Sequence, residues 1–297
     1  MHKPKVIAVV GPTASGKTAL GIFLAQKLGG EIISADSRQV YKGTAAISRT
    51  PNKKEQAGIP HHLIGLANPK RFYSAGEFVQ DAQKILTDIG ERNKIPIVVG
   101  GTGFYADSLL RGLQLPDVPP NKKLRTALAK KTAPQLFAML QKLDSNTAAR
   151  IDRHNPARLV RAIEIAKALG AVPEITYNSP YNVLWFGLLP EKKKHEKAIR
   201  AGVAARVTKM ITEVKKLRPT LSKKQFATLG FEFVPLADYI DKEITKKELV
   251  EKLIREELGY VKRQMRWFKR HKDIVWVKNK TEALKQAKAF TSTSTKL

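Results

Sequence analysis

No cysteine occurs in the 297 residues, which excludes disulfides, Cys-ligated zinc and a cysteine nucleophile and suits a reducing interior. Long apolar runs are missing as well. Nothing in the sequence is apolar for long enough to span a bilayer, and the MHKPK start, followed by five apolar residues, is too short for a signal-peptide core. A soluble, cytoplasmic chain with no membrane partner is expected. Acids are scarce: 26 Asp+Glu stand against 54 Lys+Arg, a formal net charge of +28, and a polyanion is the natural partner of such a surface. The excess is uneven. Residues 191–224 hold 12 Lys/Arg and 3 acids, and YVKRQMRWFKRHK (260–272) holds six Lys/Arg and no acid, interleaved with Tyr260, Trp267 and Phe268. Basic residues mixed with aromatics suit phosphate contacts with base stacking, although a basic amphipathic helix on a membrane surface has the same composition.

What is present begins with VIAVVGPTASGKTAL. Gly11, Gly16, Lys17 and Thr18 fit G-x-x-x-x-G-K-[ST], the apolar run Val6 to Val10 reads as a buried strand, and Ala19 to Leu28 reads as the helix that follows. In that context Gly11, Pro12, Thr13, Ala14, Ser15, Gly16, Lys17 and Thr18 form a phosphate cradle. Backbone amides and the helix N-terminus supply partial positive charge, Lys17 neutralises phosphate oxygens, and the Thr18 hydroxyl is placed to ligate Mg²⁺. The pattern does not say whether the phosphates belong to ATP.

Further apolar runs at Glu31 to Asp36, Ile95 to Gly100, Val183 to Leu189 and Ile274 to Val277, separated by helical patterns, predict an α/β fold: a P-loop NTPase-like parallel sheet core covered on both faces. Proline-rich breaks at LQLPDVPP (113–120) and AVPEITYNSPY (171–181) enclose a strand-poor segment. This predicts a core of 1–114 and 183–297 with a helical insertion domain at 115–182. Near the C-terminus Val250, Ile254, Leu258, Val261, Met265 and Phe268 form one apolar stripe, expected to face the core. The tail TSTSTKL (291–297) reads as disordered.

A P-loop hydrolase needs an acid at the end of a neighbouring strand to complete its magnesium site. Here that strand ends in Gly100, Gly101, Thr102 and Gly103, and the acid comes instead from EIISADSRQ, which delivers Asp36, Ser37, Arg38 and Gln39 at the ligand-binding edge of the sheet. From spacing alone Asp36 is as good a turn cap as a functional group, and Thr102 reads as a cap of the next helix. His61 and His62, adjacent and without a third ligand, read as structural or surface residues rather than a metal pair.

Taken together and in order, GPTASGKTAL, ISADSRQVYKG, IPHHLIG with YSAGEF, VVGGTGFY, NTAARIDRHNPARLVRAIEI and KRQMRWFKR closely resemble the tRNA dimethylallyltransferases, from about Val6 to Arg270. The resemblance implies that the P-loop holds the diphosphate of dimethylallyl diphosphate with Mg²⁺, and that the acceptor is N6 of the adenosine 3′ of the anticodon. It implies Asp36 as general base and Thr102 as a catalytic contact to the target nucleotide, with Ser37, Arg38 and Gln39 along its channel. Arg125 and the run Ala157, Arg158, Leu159, Val160, Arg161 would contact the tRNA, so that the insertion clasps the anticodon stem-loop, and the protein would act as a monomer.

The sequence also departs from the family. Ala45 and Ser48 stand where an aspartate and a threonine are usual, Phe231 replaces a tyrosine, Ala227 stands where some members carry arginine, and Glu257 and Leu258 replace a threonine-arginine pair. These changes are expected on the substrate-clasping periphery.

Overall fold

The structure is a computed structural model that describes residues 3–292. Six strands, all parallel, make one sheet in the order β3-β2-β4-β1-β5-β6: β1 (Lys5–Val10), β2 (Glu31–Ser34), β3 (His61–His62), β4 (Pro96–Gly100), β5 (Asn182–Gly187) and β6 (Ile274–Trp276). The predicted α/β class holds. β1 lies at the centre with both faces covered. Val6, Ala8 and Val10 enter one apolar layer with Ile33 and Val98, while Ile7 and Val9 enter the other with Leu20, Leu24, Ile97 and Ala283, the alternation that a strand buried on both sides requires. Because the strands are parallel, the loops after β1, β2 and β4 leave from one edge, and these loops carry the P-loop, Asp36 and Thr102.

Several boundaries differ from the sequence reading. β2 stops at Ser34, so Asp36 lies in the loop beyond it, and β5 stops at Gly187. β3 is an edge strand of two residues, too short for any periodicity to reveal. Its His62 Nε2 lies 2.8 Å from Glu31 and His61 Nδ1 lies 2.8 Å from the Ile59 carbonyl, which gives both rings structural partners. Thr291 and Ser292 continue the helix Lys280–Ser292, against the expectation of disorder; the rest of that expectation falls outside the described residues.

The helix Lys246–Phe268 corrects the expected stripe. Its buried positions are Leu249, Leu253, Ile254, Glu257, Gln264 and Phe268, whereas Val250, Leu258, Val261 and Met265 are only half-buried. The helix packs against the helices Gly103–Leu110, Lys192–Leu217 and Phe233–Ile240, and two of the groups it buries are polar. An apolar count along the sequence passes over these. The aromatics of the basic stretch are likewise not free for base stacking. Phe268 is in the core, Trp267 donates its indole N–H to Asp107 (2.8 Å), and Tyr260 packs against Phe231. Lys262, Arg263, Arg266, Lys269 and Arg270 remain exposed.

Residues 113–178 form a second compact unit of four helices, Lys122–Leu128, Ala133–Leu143, Ser145–Arg150 and Pro156–Leu169. Each starts on a residue whose side chain accepts a backbone N–H, Asn121, Thr132, Asp144 and Asn155, which satisfies donors that a helix start leaves open. Leu128, Leu136, Leu140, Leu159 and Ile163 fill their shared core.

One buried charge secures the sheet edge. Glu31 carries Arg92, Lys94 (2.7 Å) and His62 around a side chain only 3% exposed. The Arg92 hydrogen bond, against the desolvation of burial and assisted by Lys94 and His62, holds its carboxyl well below the usual range. Its contribution to stability is therefore present above about pH 4.5 and is lost as the pH falls below that value toward the folded pKa. Glu31→Gln is expected to destabilise the fold by about 1–3 kcal/mol at neutral pH and to flatten the acid limb, as measured by urea midpoints at neutral and acid pH. Equal midpoints at neutral pH would contradict this.

Candidate active site

The P-loop is fixed from behind before any ligand arrives. Thr13 donates its amide to Gln264 Oε1 (2.9 Å), Gln264 Nε2 donates to the Gly101 carbonyl (2.9 Å), and His195 Nε2 donates to the Thr13 carbonyl (2.7 Å). A Cβ on Gly101 would fall 2.3 Å from Gln264 Nε2, so that glycine makes the bridge possible. Thr13 is thus a scaffold residue whose amide is spent. Gly11 and Pro12 are also buried behind the loop, Pro12 offering its carbonyl to Lys17 Nζ (3.2 Å).

The remaining donors are open. Gly16, at φ +89°, turns the chain into the helix Lys17–Leu28. Among the described residues the amides of Ala14, Gly16, Lys17 and Thr18 meet no protein acceptor. The Ser15 hydroxyl is buried without a partner among the described residues. A row of unpaired donors at a helix start is an anion cradle. Lys17 lines it, and burial, opposed by Asp36 and aided by Arg38 and Arg49, pushes its ammonium down to about 8, a cost that a bound anion would offset. The Thr18 hydroxyl, also without a protein partner among the described residues, is a hard oxygen donor of the kind Mg²⁺ takes.

These groups share a cavity of about 140 Å³ with Asp36, Arg38, Gln39, Ser48, Arg49, Phe231, Glu232 and Glu257. Asp36 is 8% exposed, and its Oδ1 accepts the amides of Arg38 (3.0 Å) and Gln39 (3.4 Å). It does cap its own turn, but with one oxygen only; Oδ2 has no hydrogen-bond partner among the described residues. Thr102 does not cap the following helix. Its Oγ1 accepts the Ser37 amide (3.0 Å) and donates to the Ser37 hydroxyl (3.2 Å), locking the loop after β4 to the loop after β2.

Arg38 and Gln39 are less open than a channel lining would be. Arg38 donates to Glu232 at 2.5 Å, with its guanidinium 4.3 Å from the Tyr260 ring and 4.8 Å from Phe231. Gln39 Oε1 accepts from Ser34 (2.8 Å) and its Nε2 donates to the carbonyls of Ser48 and Arg49. In the helical unit, Glu164 accepts both Arg125 nitrogens (2.9 and 2.8 Å) and Arg161 (2.6 Å). Ala157 and Arg158 are exposed, Val160 is half-buried, and Leu159 is fully buried and unable to touch RNA.

The departures also need relocating. Ala45 and Ala227 are exposed, but Ser48, Phe231 and Glu257 line the P-loop cavity itself rather than a periphery. Glu257, 2% exposed, joins Arg49 (2.6 Å) to Arg206 (2.8 Å). Gln264, His195, Glu232, Arg49 and Arg206 were not singled out from the sequence, because their partners are distant in the chain; the only signal was that Gln264 belongs to KRQMRWFKR.

An IPP transferase family model matches residues 39–271 and an isopentenyl transferase model matches residues 4–64. The tRNA dimethylallyltransferase of Anoxybacillus flavithermus is 36% identical over 278 residues, covering 92% of this chain and 89% of its own. That of Pediococcus pentosaceus is 36% identical over 297 residues, covering 96% and 94%. Among solved structures, the full-length tRNA isopentenylpyrophosphate transferase of Bacillus halodurans aligns with a TM-score of 0.73 at 31% identity over 98% of this chain and 96% of that one. A eukaryotic dimethylallyltransferase acting on tRNA reaches 0.81 at 24% identity over 96% and 78%, a likeness of fold.

Proposed function

The chain belongs to the tRNA dimethylallyltransferase family, and from that premise we propose the roles its residues take in moving a dimethylallyl group from dimethylallyl diphosphate to N6 of adenosine 37, beside the tRNA anticodon, with release of pyrophosphate. One observation carries the assignment: a carboxylate with a free oxygen, Asp36, shares a polar cavity with Lys17, Thr18 and the open amides of the P-loop.

The bond broken joins the allyl carbon to a diphosphate oxygen, and the bond formed joins that carbon to N6. No water has to be aimed at a γ-phosphate, which fits a strand end of glycines where a hydrolase keeps its acid. The amides of Ala14, Gly16, Lys17 and Thr18, the Ser15 hydroxyl and the Lys17 ammonium stabilise the leaving diphosphate where its charge develops. Thr18 would hold Mg²⁺, which would neutralise charge on that diphosphate. N6 is a weak nucleophile, its lone pair delocalised into the ring, and Asp36 Oδ2 accepts its proton as the new bond forms. Thr102 positions the Ser37 loop and contacts the target nucleotide, which must leave the anticodon stack to be reached. All these groups come from one chain, so a monomer suffices, acting in the cytoplasm on tRNA.

The exposed lysines and arginines of 192–209 and 262–270 supply the contacts to the anticodon arm, together with Arg158. Binding of tRNA is therefore expected to weaken steeply with salt by counterion release, while donor binding, set by one enclosed site, changes much less. Filter binding across ionic strengths, with a tRNA carrying guanosine at position 37 as a second acceptor, tests both parts. The substituted tRNA should bind comparably and stay unmodified; a flat salt dependence, or prenylation of the substituted tRNA, would contradict the assignment.

A further inference from the structure

Glu257, one of the positions at which this chain departs from its family, lies in the P-loop cavity and is physically joined there to Arg49. Arg49 sits in the run TAAISRTP and Glu257 stands where a threonine is usual; Arg49 Nη2 donates to Glu257 Oε2 at 2.6 Å, and Arg206 holds the other carboxylate oxygen at 2.8 Å. Glu257 is buried, so it is a fixed anchor, and the three side chains together keep one net positive charge. The other Arg49 nitrogens have no acceptor among the described residues. Its backbone is at φ +54°, a conformation that an arginine adopts only when its surroundings impose it. They do so here: Glu213 accepts the amides of Ala46 (2.8 Å) and Ile47 (3.1 Å), and Gln39 holds the Arg49 carbonyl. The guanidinium lies against Gly202, where a Cβ would fall 2.6 Å from Nη1 and 2.9 Å from Nη2.

From this geometry we infer that Arg49, positioned by Glu257 and Arg206, is a second cationic ligand of the donor's diphosphate, lining the same cavity as the P-loop donors. The inference rests on the diphosphate chemistry proposed above. A buried carboxylate that serves two arginines orients a planar fork while leaving donors for a further anion, and a diphosphate offers the paired oxygens such a fork matches. Two like charges, Lys17 and Arg49, in one small cavity are unfavourable until an anion lies between them. The site is thus built for a ligand carrying several negative charges.

The test uses inorganic pyrophosphate as probe, titrated calorimetrically into the full chain with Mg²⁺, beside filter binding of tRNA. Arg49→Gln is expected to weaken pyrophosphate by about 10- to 100-fold, with tRNA affinity unchanged, and Arg49→Lys to recover part of the loss. Gly202→Ala separates this from a folding defect. It sits within the helix Lys192–Leu217, where alanine favours the helix, yet its Cβ displaces the guanidinium, so the variant should melt no lower than the parent and still bind pyrophosphate more weakly. Arg49→Gln or Gly202→Ala binding pyrophosphate within twofold of the parent, or a loss confined to tRNA, would overturn the inference. A parent protein that binds pyrophosphate through Arg49 but leaves tRNA unprenylated would instead refute the reaction and leave this ligand assignment standing.

Discussion

Asp36→Asn is expected to lower the single-turnover rate of prenyl transfer by about 10²- to 10⁴-fold, the usual worth of a general base, with tRNA affinity little changed. The structure makes the substitution a clean one. Asparagine keeps an oxygen to accept the Arg38 and Gln39 amides, so the turn survives, while the oxygen that faces no protein donor loses its affinity for a proton. Rates at saturating tRNA and donor distinguish the two roles of this side chain. Near-equal rates would leave Asp36 as a cap alone.

Lys17→Ala should be at least as damaging, through the other substrate. Removing one preorganised donor from a charge-developing centre lowers rate by about 10²- to 10³-fold, and here donor affinity falls with it while tRNA binding stays. The same lysine sets a pH dependence. Burial, opposed by Asp36 and reinforced by Arg38 and Arg49, leaves its ammonium titrating near 8 in the free enzyme, and a bound diphosphate shifts it back up. Donor binding should therefore take up a proton above about pH 8, and the donor KM should rise with pH over that range. Calorimetry in two buffers of different ionisation enthalpy reads the proton count; no uptake, or uptake retained in Lys17→Ala, would contradict the role.

Much of this machinery was legible in the sequence because its signals are local. The P-loop, five of the six strands and the position of Asp36 each follow from a motif or an apolar run of a few residues. What stayed hidden depends on partners far apart in the chain. Nothing near Gln264 announces that its amide spans Thr13 and Gly101, and nothing near His195 points to the P-loop. The buried face of the last long helix was misjudged because apolar spacing favours Val261 and Met265, whereas the fold buries Glu257 and Gln264 to serve Arg49 and the P-loop. Trp267 and Phe268 looked like stacking platforms in a basic stretch, yet one is tied to Asp107 and the other fills the core. Three departures from the family pattern, Ser48, Phe231 and Glu257, expected on the periphery from sequence, prove to line the P-loop cavity.

The central claim is that the P-loop holds a leaving diphosphate rather than the γ-phosphate of ATP. Incubation with tRNA, dimethylallyl diphosphate and Mg²⁺, followed by nucleoside mass spectrometry and a pyrophosphate assay, tests it most directly. The account predicts one pyrophosphate released for each adenosine 37 prenylated, and no ADP when ATP replaces the donor; ADP formation, or unmodified tRNA with the donor intact, would contradict it.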